Sequence, residues 1–355
     1  MNTLNENSIV VGVDVHKYSH TAVAMNAWGE EKGKIDFSNN NLETYIEWLE
    51  QMGLKENIIV GLEDVNSYGI HLVEDLRKKN YHIRYVPAIL TERERKSSTK
   101  RHKSDTVDAK RVGKVILTKY EDTLPAKESI ANTRELETAK SLDLLLMERR
   151  DLTRNKTIVK NQLHCLIHQY YTESYREHCP RSFSKKAIKW FLADLKDNKT
   201  ILATSILRRL TRLIFVEEQI YAISKEIDVI GQTSKEALTL TTIHGCGMVT
   251  ACSIMAEVIT IKRFKNKHHF SMYAGIAPTP HSSGRKNKMH TNPFGNRQLN
   301  RAIHVIALSQ IAIKGDPTGE EYYQKKLKEG KTKLWALRCL KHQLAKVIFQ
   351  KLRYC

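Results

Sequence analysis

Short apolar runs and polar turns alternate at the start of the chain. The runs are "IVVGVDV", "HTAVAMNAW" and, after "GEEKG", "KIDFSN", and they extend from Ile9 to about Asn39. Runs of this length, separated by polar or glycine-containing turns, are typical of antiparallel hairpins. The pattern therefore predicts three consecutive strands.

The pattern then changes to alternating helices and strands. In "NLETYIEWLEQMG" the apolar residues Leu42, Ile46 and Leu49 recur at helical spacing, and the segment ends at Gly53. "NIIVGLE" and "YHIRYVP" are predicted strands, with the helical segment "YGIHLVEDLRKKN" between them. Three strands followed by helix, strand, helix and strand predict an α/β layer on a mixed sheet. This order is that of the ribonuclease H-like fold, which by itself fixes no function.

The strand pattern ends after Pro125, and two long amphipathic helices follow. Apolar residues recur at spacings of three, four or seven between Glu135 and Tyr171, and again from Ile206 to Ile230. This spacing predicts either a coiled coil that pairs with another subunit or a helical bundle within one chain. The two interpretations are about equally supported. Residues 126–232 are predicted to form this helical connector.

Residues 233–355 are predicted to form a mainly α-helical C-terminal domain, and residues 1–125 the N-terminal α/β domain. Within the C-terminal part, "IHGCG" places Gly245 and Gly247 in a tight turn between apolar stretches. This pattern is typical of a helix-hairpin-helix, which offers backbone amides to a phosphate. The predicted fold class is α/β plus all-α.

The charge balance indicates what the protein binds. The 355 residues include 58 Lys and Arg against 39 Asp and Glu, a formal net charge of +19. Such a surplus favours polyanions, because phosphate contacts release counterions. The positive residues are spread along the chain and are not concentrated on one amphipathic helix, so nucleic acid is favoured over a membrane surface.

The composition also predicts a compartment. No apolar run reaches the length that a membrane helix requires, and "MNTLNENS" lacks the regions of a secretory signal. The six cysteines form no CxxC pair, so a disulfide framework is not expected. We expect a cytoplasmic protein with reduced thiols and no membrane partner.

Carboxylates stand where predicted strands end. Asp14 stands at the end of the first apolar run and Glu63 ends "NIIVGLE". If these strands are parallel neighbours, both side chains meet at one edge of the sheet. The predicted helix "RHKSDTVDAKRVGKVIL" carries Asp105 and Asp108 three residues apart, hence on one face. Four acids from three elements would then converge.

Converging carboxylates suit Mg2+ or Mn2+. Two such ions about 4 Å apart can activate a nucleophile and stabilise the leaving oxygen in phosphoryl transfer. Structural roles compete with this hypothesis, since each acid alone could be a turn residue or a helix-capping residue. The basic residues just before the acidic pair favour phosphate binding, although a solvated loop is the usual meaning of a charge run. They are Arg93, Arg95, Lys96, Lys100, Arg101 and Lys103.

A serine pair lies in a basic, proline-rich stretch that we expect to be a loop. It reads "YAGIAPTPHSSGRKNKM" and contains Ser282, Ser283 and Gly284. A small hydroxyl beside a glycine can approach a phosphate closely, although both residue types are common in loops. Candidate nucleic-acid contacts in and after this stretch are Arg285, Lys286, Lys288, Arg297 and Arg301.

The order of these motifs resembles a known family. The motifs are "GVDVHK", "GLED", "HKSDTVDAKR", "IHGCG" and "YAGIAPTPHSSGRKNKM…GNRQLNRAI". Together they resemble the DEDD transposases of the IS one-ten family of insertion sequences and the related Piv-type DNA invertases. The resemblance runs from about Ile9 to Leu352, and the "SDTVDA" and "AGIAP…SSG" blocks are its most distinctive parts.

The resemblance implies a RuvC-like, ribonuclease H-fold domain that carries the Asp14, Glu63, Asp105 and Asp108 tetrad. It implies a coiled-coil connector and a C-terminal transposase domain whose serine, Ser283 by position, is a nucleophile that joins DNA covalently. It also implies a structured guide RNA encoded by the element as a second partner beside DNA. The expected assembly is a homo-oligomer, a dimer or tetramer, at the bacterial or archaeal nucleoid.

Three further features of the sequence bear on the candidate sites. The tetrad glutamate begins the stretch "EDVNSYG", whereas the family usually has a small residue and then Thr-Gly after this glutamate. Ser282 is adjacent to Ser283, and alignment to the glycine favours Ser283. His164 and His168 share one predicted helical face and could bind zinc, but ordinary helix residues are favoured because no finger spacing follows.

We therefore expect an enzyme, a DNA transposase and site-specific recombinase. Metal held by the four carboxylates would assist attack of Ser283 on a DNA phosphodiester and give a phosphoserine intermediate. One alternative is a nuclease of the Holliday-junction resolvase type, in which water attacks. Another is a nucleic-acid-binding protein without enzymatic activity, which would need the basic residues and not the acids.

Overall fold

The N-terminal apolar runs form three antiparallel strands in the computed structural model. It describes residues 4–63, 68–97, 104–126, 133–179, 183–283, 286–291, 295–312 and 317–355. Strand β1 spans Ile9–Val15, β2 spans Ser19–Met25 and β3 spans Glu31–Ser38. β1 pairs with β2 and β2 with β3, so the predicted hairpins are confirmed.

The following elements complete a six-stranded mixed sheet. They are α1 (Leu42–Met52), β4 (Ile58–Leu62), α2 (Ile70–Lys78), β5 (His82–Tyr85), α3 (Ala88–Ser97), α4 (Asp105–Lys119) and β6 (Leu124–Pro125). The strand order is β3-β2-β1-β4-β5-β6, with β1, β4 and β5 mutually parallel and β6 antiparallel to β5. The α/β layer on a mixed sheet is confirmed. Helix α3 and strand β6 were not expected from the sequence.

Helices cover both faces of this sheet. Val11 and Val13 of β1 point to one face, where they pack in a cluster with residues of α1 and α2 such as Leu49 and Leu76. Val10 points to the other face, where the cluster is completed by residues of α3 and α4. Because successive strand positions alternate between faces, near-continuous apolar strands are what a sheet covered on both sides requires.

Three helices form a second apolar core. Helix α5 spans Thr133–Tyr171, α6 spans Lys185–Asp194 and α7 spans Ile201–Gln232. Buried residues of all three pack in one cluster, and Lys156 of α5 forms an ion pair of 2.8 Å with Glu217 of α7. The two predicted long helices are therefore confirmed, and they pack against each other within one chain.

The remaining chain is mainly helical, as predicted, with one β-hairpin. Its elements are α8 (Lys235–Thr241), α9 (Met248–Val258), α10 (Lys267–Tyr273), β7 (Pro278–Ser283), β8 (Lys286–Thr291), α11 (Arg297–Gln310), α12 (Pro317–Lys328) and α13 (Lys333–Arg353). The serine stretch, expected to be a loop, is strand β7, paired antiparallel with β8. That expectation was wrong because prolines are tolerated where a strand has no partner on one side, as in a two-stranded sheet.

The chain divides into two compact units that are discontinuous in sequence. The first consists of Met1–Glu137, Val258–Asn300 and Lys341–Tyr354, and the second of Thr138–Glu257, Arg301–Leu340 and Cys355. The segment that carries Ser283 thus belongs to the same unit as the sheet. The three domains predicted from the sequence, residues 1–125, 126–232 and 233–355, stay a prediction.

No helix in the described part of the chain combines the length and the apolar character needed to cross a membrane.

Candidate active site

Asp14 and Glu63 lie at the same end of two neighbouring strands. β1 and β4 are parallel, and their pairing places Val13 beside Leu62. The residue that follows each of these is one of the two acids. The parallel neighbours that the sequence analysis assumed are therefore present, and both carboxylates stand at one edge of the sheet.

Both acids share the face of the sheet that α4 covers. Strand positions two apart lie on the same face, so Asp14 follows Gly12 on that face and Glu63 follows Gly61. A Cβ at Gly12 would collide with the backbone of α4, and a Cβ at Gly61 would collide with an α4 side chain. The two glycines allow the helix to lie directly on the strands that carry the acids.

The N-terminus of α4 supplies the other two carboxylates. Ser104 caps the helix, since its Oγ accepts a hydrogen bond of 3.3 Å from the backbone N–H of Val107. Asp105 is the first helical residue and Asp108 lies in the same first turn, where negative charge is favourable for the helix dipole. Ser104 therefore takes the capping role that was an alternative for these acids, and their place in the first turn is compatible with a role in the site.

A cavity lies between the strand ends and helices α3 and α4. Its volume is about 480 Å³. Three of the four predicted acids line it, together with two arginines and residues of α3. The lining consists of Asp14, Glu63, Ala88, Ile89, Thr91, Glu92, Arg95, Asp108 and Arg111. The structure thus brings acids from β1, β4 and α4 to one concave site.

His16 connects Asp105 to this group. Its Nε2 lies 3.1 Å from Oδ2 of Asp14 and 3.5 Å from Oδ1 of Asp105. The ligand atoms of these three residues all lie within 4.8 Å of one another, and among the described residues they are the one group of this kind. The imidazole therefore stands between two of the predicted acids.

The electrostatic environment disfavours negative charge on Asp14. Burial raises the pKa of Asp14 above its ordinary value, His16 lowers it, and the negative charges of Asp108 and Asp105 raise it again. The balance is an increase. Asp14 is therefore a carboxylate that a nearby cation would stabilise in its ionised form.

The pKa of Glu63 is also raised. Burial of its carboxyl group raises the pKa of Glu63 even though part of the side chain is open to solvent. A hydrogen bond with Thr91 lowers this pKa, and the charges of Asp14 and Asp108 raise it. Acids on three elements thus repel one another, which marks a site for positive charge.

Two arginines already supply positive charge at this cavity. Arg111, whose side chain is 7% exposed, donates a hydrogen bond to the Asp108 carboxylate one turn earlier on α4. Arg95 of α3 forms an ion pair of 2.7 Å with Glu92 and is 52% exposed. Exposed pairs are weak, so Arg95 can exchange Glu92 for a phosphate oxygen at little cost.

The donor set fits a divalent cation. Carboxylate oxygens suit Mg2+ and Mn2+, and an imidazole is a better ligand for Mn2+ than for Mg2+. The raised pKa of Asp14 and the mutual repulsion of the acids are what a cation between them would relieve. The Asp14, His16 and Asp105 group is compatible with such an ion.

The backbone positions of the serine pair are described, without their side chains. In the β7–β8 register Ser283 pairs with Lys286, Ser282 pairs with Asn287, and Lys288 pairs with His281. Arg101, Lys103 and Arg285 lie outside the described residues. Arg297 and Arg301 are exposed and lie four residues apart on α11.

Gly245 has a packing role in the turn between α8 and α9. Its φ is +82°, a conformation that favours glycine, and a Cβ there would lie 2.6 Å from Cβ of Ser309. Gly247 is exposed and a Cβ there would meet nothing within 4 Å. The close approach of the turn to α11 therefore accounts for Gly245, and its predicted contact with phosphate stays a prediction.

Four contributors to the site were not predicted from the sequence: His16, Thr91, Glu92 and Arg111. His16 could have been identified from the sequence, since it lies two residues after Asp14 and alternate residues of an extended chain point to the same face. Arg111 had a weaker indication, the three-residue spacing after Asp108 on a predicted helix. Thr91 and Glu92 lie on α3, which was not predicted.

Comparisons with known proteins agree with the motifs. The family model of DEDD transposases of the IS110 type, described as "Transposase", matches residues 11–172. A second family model, "Transposase IS116/IS110/IS902 family", matches residues 237–324. The first match contains all four acids of the tetrad, and the second contains the serine pair.

Curated relatives match part of the chain. The "Insertion element IS110 uncharacterized 43.6 kDa protein" of Streptomyces coelicolor is 34% identical over 142 residues, 40% of this chain and 35% of that protein. The "Transposase for insertion sequence element IS1111A" of Coxiella burnetii is 25% identical over 148 residues, 40% of this chain and 38% of that protein. The chain thus spans little more than a third of the length of these relatives. The motifs, the two family models and the relatives agree, and the chain belongs to the IS110 (IS one-ten) family of transposases.

Proposed function

We propose that the protein is the transposase of an insertion sequence and that it cleaves and rejoins DNA strands through Ser283. The observation that carries the proposal is the convergence of Asp14, Glu63 and Asp108 on one cavity, with Asp105 joined to Asp14 through His16. Acids from three elements form a site for phosphoryl-transfer chemistry.

We propose that the sheet domain is RuvC-like, of the ribonuclease H fold. The order β3-β2-β1-β4-β5 supports this, with an antiparallel meander followed by parallel strands. The fold alone indicates no activity. The position of the acids at the carboxyl ends of β1 and β4 is the feature that links it to metal-dependent chemistry.

The chemical step is transesterification. The Ser283 hydroxyl oxygen attacks phosphorus, the bond from phosphorus to the leaving deoxyribose oxygen breaks, and the serine proton passes to that oxygen. The product is a phosphoserine link and a free DNA hydroxyl, and attack by another DNA hydroxyl reverses the step without ATP. One phosphodiester bond is exchanged for another, so no external energy source is needed.

Mg2+, or Mn2+, bound by Asp14, Glu63, Asp105 and Asp108 would lower the energy of the charge that develops on the phosphoryl oxygens. His16 is placed to hold Asp14 and Asp105 in position or to become a ligand itself. Arg95 is placed to contact a phosphate at the mouth of the cavity, and Arg111 to orient Asp108.

The family resemblance suggests the partners of this chain. We propose DNA and a structured guide RNA as substrates and partners, with Arg101, Lys103, Arg285, Lys286, Lys288, Arg297, Arg301 and the Gly245–Gly247 turn as nucleic-acid contacts. The net charge of +19 supports polyanion binding. We also propose a dimer or tetramer in which α5 and α7 form a coiled coil, in the cytoplasm at the nucleoid.

The test is the covalent link itself. Branched DNA, Mg2+ and the element's RNA are incubated with the full chain, and denaturing electrophoresis shows whether protein and DNA migrate together. We expect an adduct with the wild type and none with Ser283→Ala or Asp14→Asn. Asp36→Asn is a matched control, since Asp36 is a carboxylate of the same sheet that lies on β3, away from the cavity.

The same experiment separates the alternative functions. DNA cleavage that survives Ser283→Ala without an adduct would indicate a nuclease of the resolvase type in which water attacks. Binding with no cleavage by the wild type under any divalent ion would indicate a non-enzymatic nucleic-acid-binding protein. Full activity of Asp14→Asn would exclude both enzymatic functions.

A further inference from the structure

The turn between β1 and β2 is held firmly although its side chains face solvent. The backbone N–H of His16 donates to the carbonyl of Ser19 at 3.2 Å. The side-chain amide of Asn39, at the end of β3, donates to the carbonyl of Lys17 at 2.9 Å, and the Asn39 backbone N–H donates to the carbonyl of Tyr18 at 3.4 Å. These bonds tie the turn to the neighbouring strand.

A buried histidine reinforces the same turn. His20 is 1% exposed and its Nε2 lies 2.5 Å from Oδ1 of Asn39. Its Nδ1 accepts a hydrogen bond of 3.3 Å from the backbone N–H of His16. Both nitrogens of the imidazole therefore form hydrogen bonds that hold Asn39 and the turn in place.

The turn between β1 and β2 exposes an aromatic ring to solvent. Tyr18 is 73% exposed, and the Nζ of Lys17 lies 4.9 Å from the centre of its ring. A lone exposed aromatic residue is ordinary on a protein surface. The position of Tyr18 is what distinguishes it, because Tyr18 is the fourth residue after Asp14 and four steps of chain span at most about 14 Å.

We propose that Tyr18 and Lys17 form a binding site for one unpaired nucleotide beside the carboxylate cavity. The base stacks on the Tyr18 ring and the Lys17 ammonium contacts the phosphate of the same strand. The inference rests on the proposed function, since it places a neighbouring nucleotide of the DNA strand whose phosphate reacts at the carboxylate cavity.

The chemistry of the pair favours an unpaired nucleotide over a duplex. Bases within a duplex are stacked on one another, and their faces are not accessible to a side chain. Aromatic rings bind unpaired bases of any sequence because every base has a π-face, and a nearby cation neutralises the backbone. A rigid ring also loses little conformational freedom when a base stacks on it.

The chain offers a matched control in Trp28. It is 72% exposed, almost the same as Tyr18. It lies after Met25, in the turn at the opposite end of β2 from Tyr18. If general exposure of aromatic residues caused binding, the two positions would be equivalent, whereas a site beside the acids requires Tyr18 alone.

The binding experiment uses the full chain with a short single-stranded oligonucleotide, Ca2+ in place of the reactive metal, and fluorescence anisotropy. We expect Tyr18→Ala to weaken binding about tenfold and Tyr18→Phe and Trp28→Ala to leave the affinity unchanged. Lys17→Gln should reduce the dependence of log K on log salt by about 0.7. Circular dichroism establishes that each variant is folded.

An abasic scan of the same oligonucleotide tests stacking directly. One nucleotide is replaced at a time by an abasic sugar, and the wild type is compared with Tyr18→Ala. We expect one position at which the abasic site weakens wild-type binding about tenfold and has no further effect in Tyr18→Ala. Additive effects at every position, or equal affinity of Tyr18→Ala and wild type, would overturn the proposal.

The outcome is independent of the adduct experiment. If the wild type forms the serine adduct but Tyr18→Ala binds the oligonucleotide normally, the nucleotide site is wrong and the proposed function stands. If no adduct forms but the abasic scan identifies one Tyr18-dependent position, the nucleotide site stands and the proposed function fails.

Discussion

A Cβ added to Gly12 would lie 2.5 Å from the backbone nitrogen of Gly113. Strand β1 and helix α4 can approach this closely because no side chain separates them. Asp14 lies two residues after Gly12, and Asp108 lies five residues before Gly113. The glycine contact therefore sets the distance between an acid on the strand and the acids at the start of the helix.

Gly12→Ala is expected to disturb this geometry. The colliding atoms belong to the backbone, which cannot rotate away. We therefore expect the free energy of unfolding to fall by about 3 kcal/mol, at the upper end of ordinary overpacking. Because α4 must shift, the affinity for Mn2+ should fall as well. Thermal unfolding by circular dichroism and Mn2+ titration by electron paramagnetic resonance measure the two effects.

Gly247→Ala is the control for this substitution, since a Cβ at that glycine would meet nothing within 4 Å. We expect its thermal unfolding and Mn2+ affinity to match those of the wild type. Equal stability and Mn2+ affinity of Gly12→Ala and the wild type would contradict the steric argument.

Asp14→Asn should stabilise the metal-free protein at neutral pH. The folded pKa of Asp14 is raised above its ordinary value of 3.8. Below that value the carboxyl is protonated in both states and its contribution to stability is fully present, and it is lost as the pH rises through the folded pKa. An uncharged amide avoids this loss.

The measurement is the melting temperature of both proteins in EDTA across this pH range. The difference should be small below pH 3.8 and should favour Asp14→Asn near neutral pH. Saturating Mn2+ should reverse the order, since the ion binds only the wild-type carboxylate well. A wild type that is the more stable protein in EDTA near neutral pH would contradict the prediction.

The sequence predicted the sheet well because local pattern and global fold agree there. Short apolar runs separated by polar segments predicted the first five strands, and the ends of β1 and β4 indicated Asp14 and Glu63 as candidate site residues. Helix α3 was missed because only Leu90 and Thr91 of its ten residues are buried, so its charged remainder resembles a solvated loop. The β7–β8 hairpin was missed because prolines and polar residues suppress the strand pattern.

The sequence predicted only those site residues that stand at strand ends or on one face of a helix. Which side chains share a cavity depends on how far α4 lies from the sheet, and Gly12 decides that by the absence of a side chain. His16 was not identified because a single histidine after a strand has no periodic pattern around it. Only its distances to Asp14 and Asp105 give it a place in the site.

Ser104→Ala tests the N-terminus of α4. Loss of the capping hydrogen bond should cost about 1 kcal/mol and should fray the turn that carries Asp105 and Asp108. We expect lower stability together with weaker Mn2+ binding. Ser184→Ala is the matched control, because Ser184 caps α6 in the other unit through a bond of 3.1 Å to the backbone N–H of Ala187. It should lose similar stability and keep its Mn2+ affinity.

His16→Ala should change the preference between metals. An imidazole favours Mn2+ over Mg2+, so its removal should weaken Mn2+ binding more than Mg2+ binding. Competition between the two ions, followed by the Mn2+ resonance signal, gives the ratio. His71→Ala, an exposed histidine on α2, should leave the ratio unchanged. An unaltered ratio in His16→Ala would show that the imidazole orients the carboxylates without binding the ion.

Ser283→Ala and Ser282→Ala should differ in adduct formation. The two serines hold successive positions of β7, opposite Lys286 and Asn287 respectively. Alignment of the family motif to the glycine that follows favours Ser283 as the nucleophile. We expect Ser283→Ala to abolish the adduct and Ser282→Ala to retain it.

The site of the adduct can also be located directly. Proteolysis of the wild-type adduct followed by mass spectrometry should place the nucleotide on Ser283, and Ser283→Cys should form a phosphorothiolate link at the same position, because a thiol is also a nucleophile. An adduct on Ser282 would contradict the assignment of Ser283 as the nucleophile. The proposed role of the four carboxylates would be unaffected by that result.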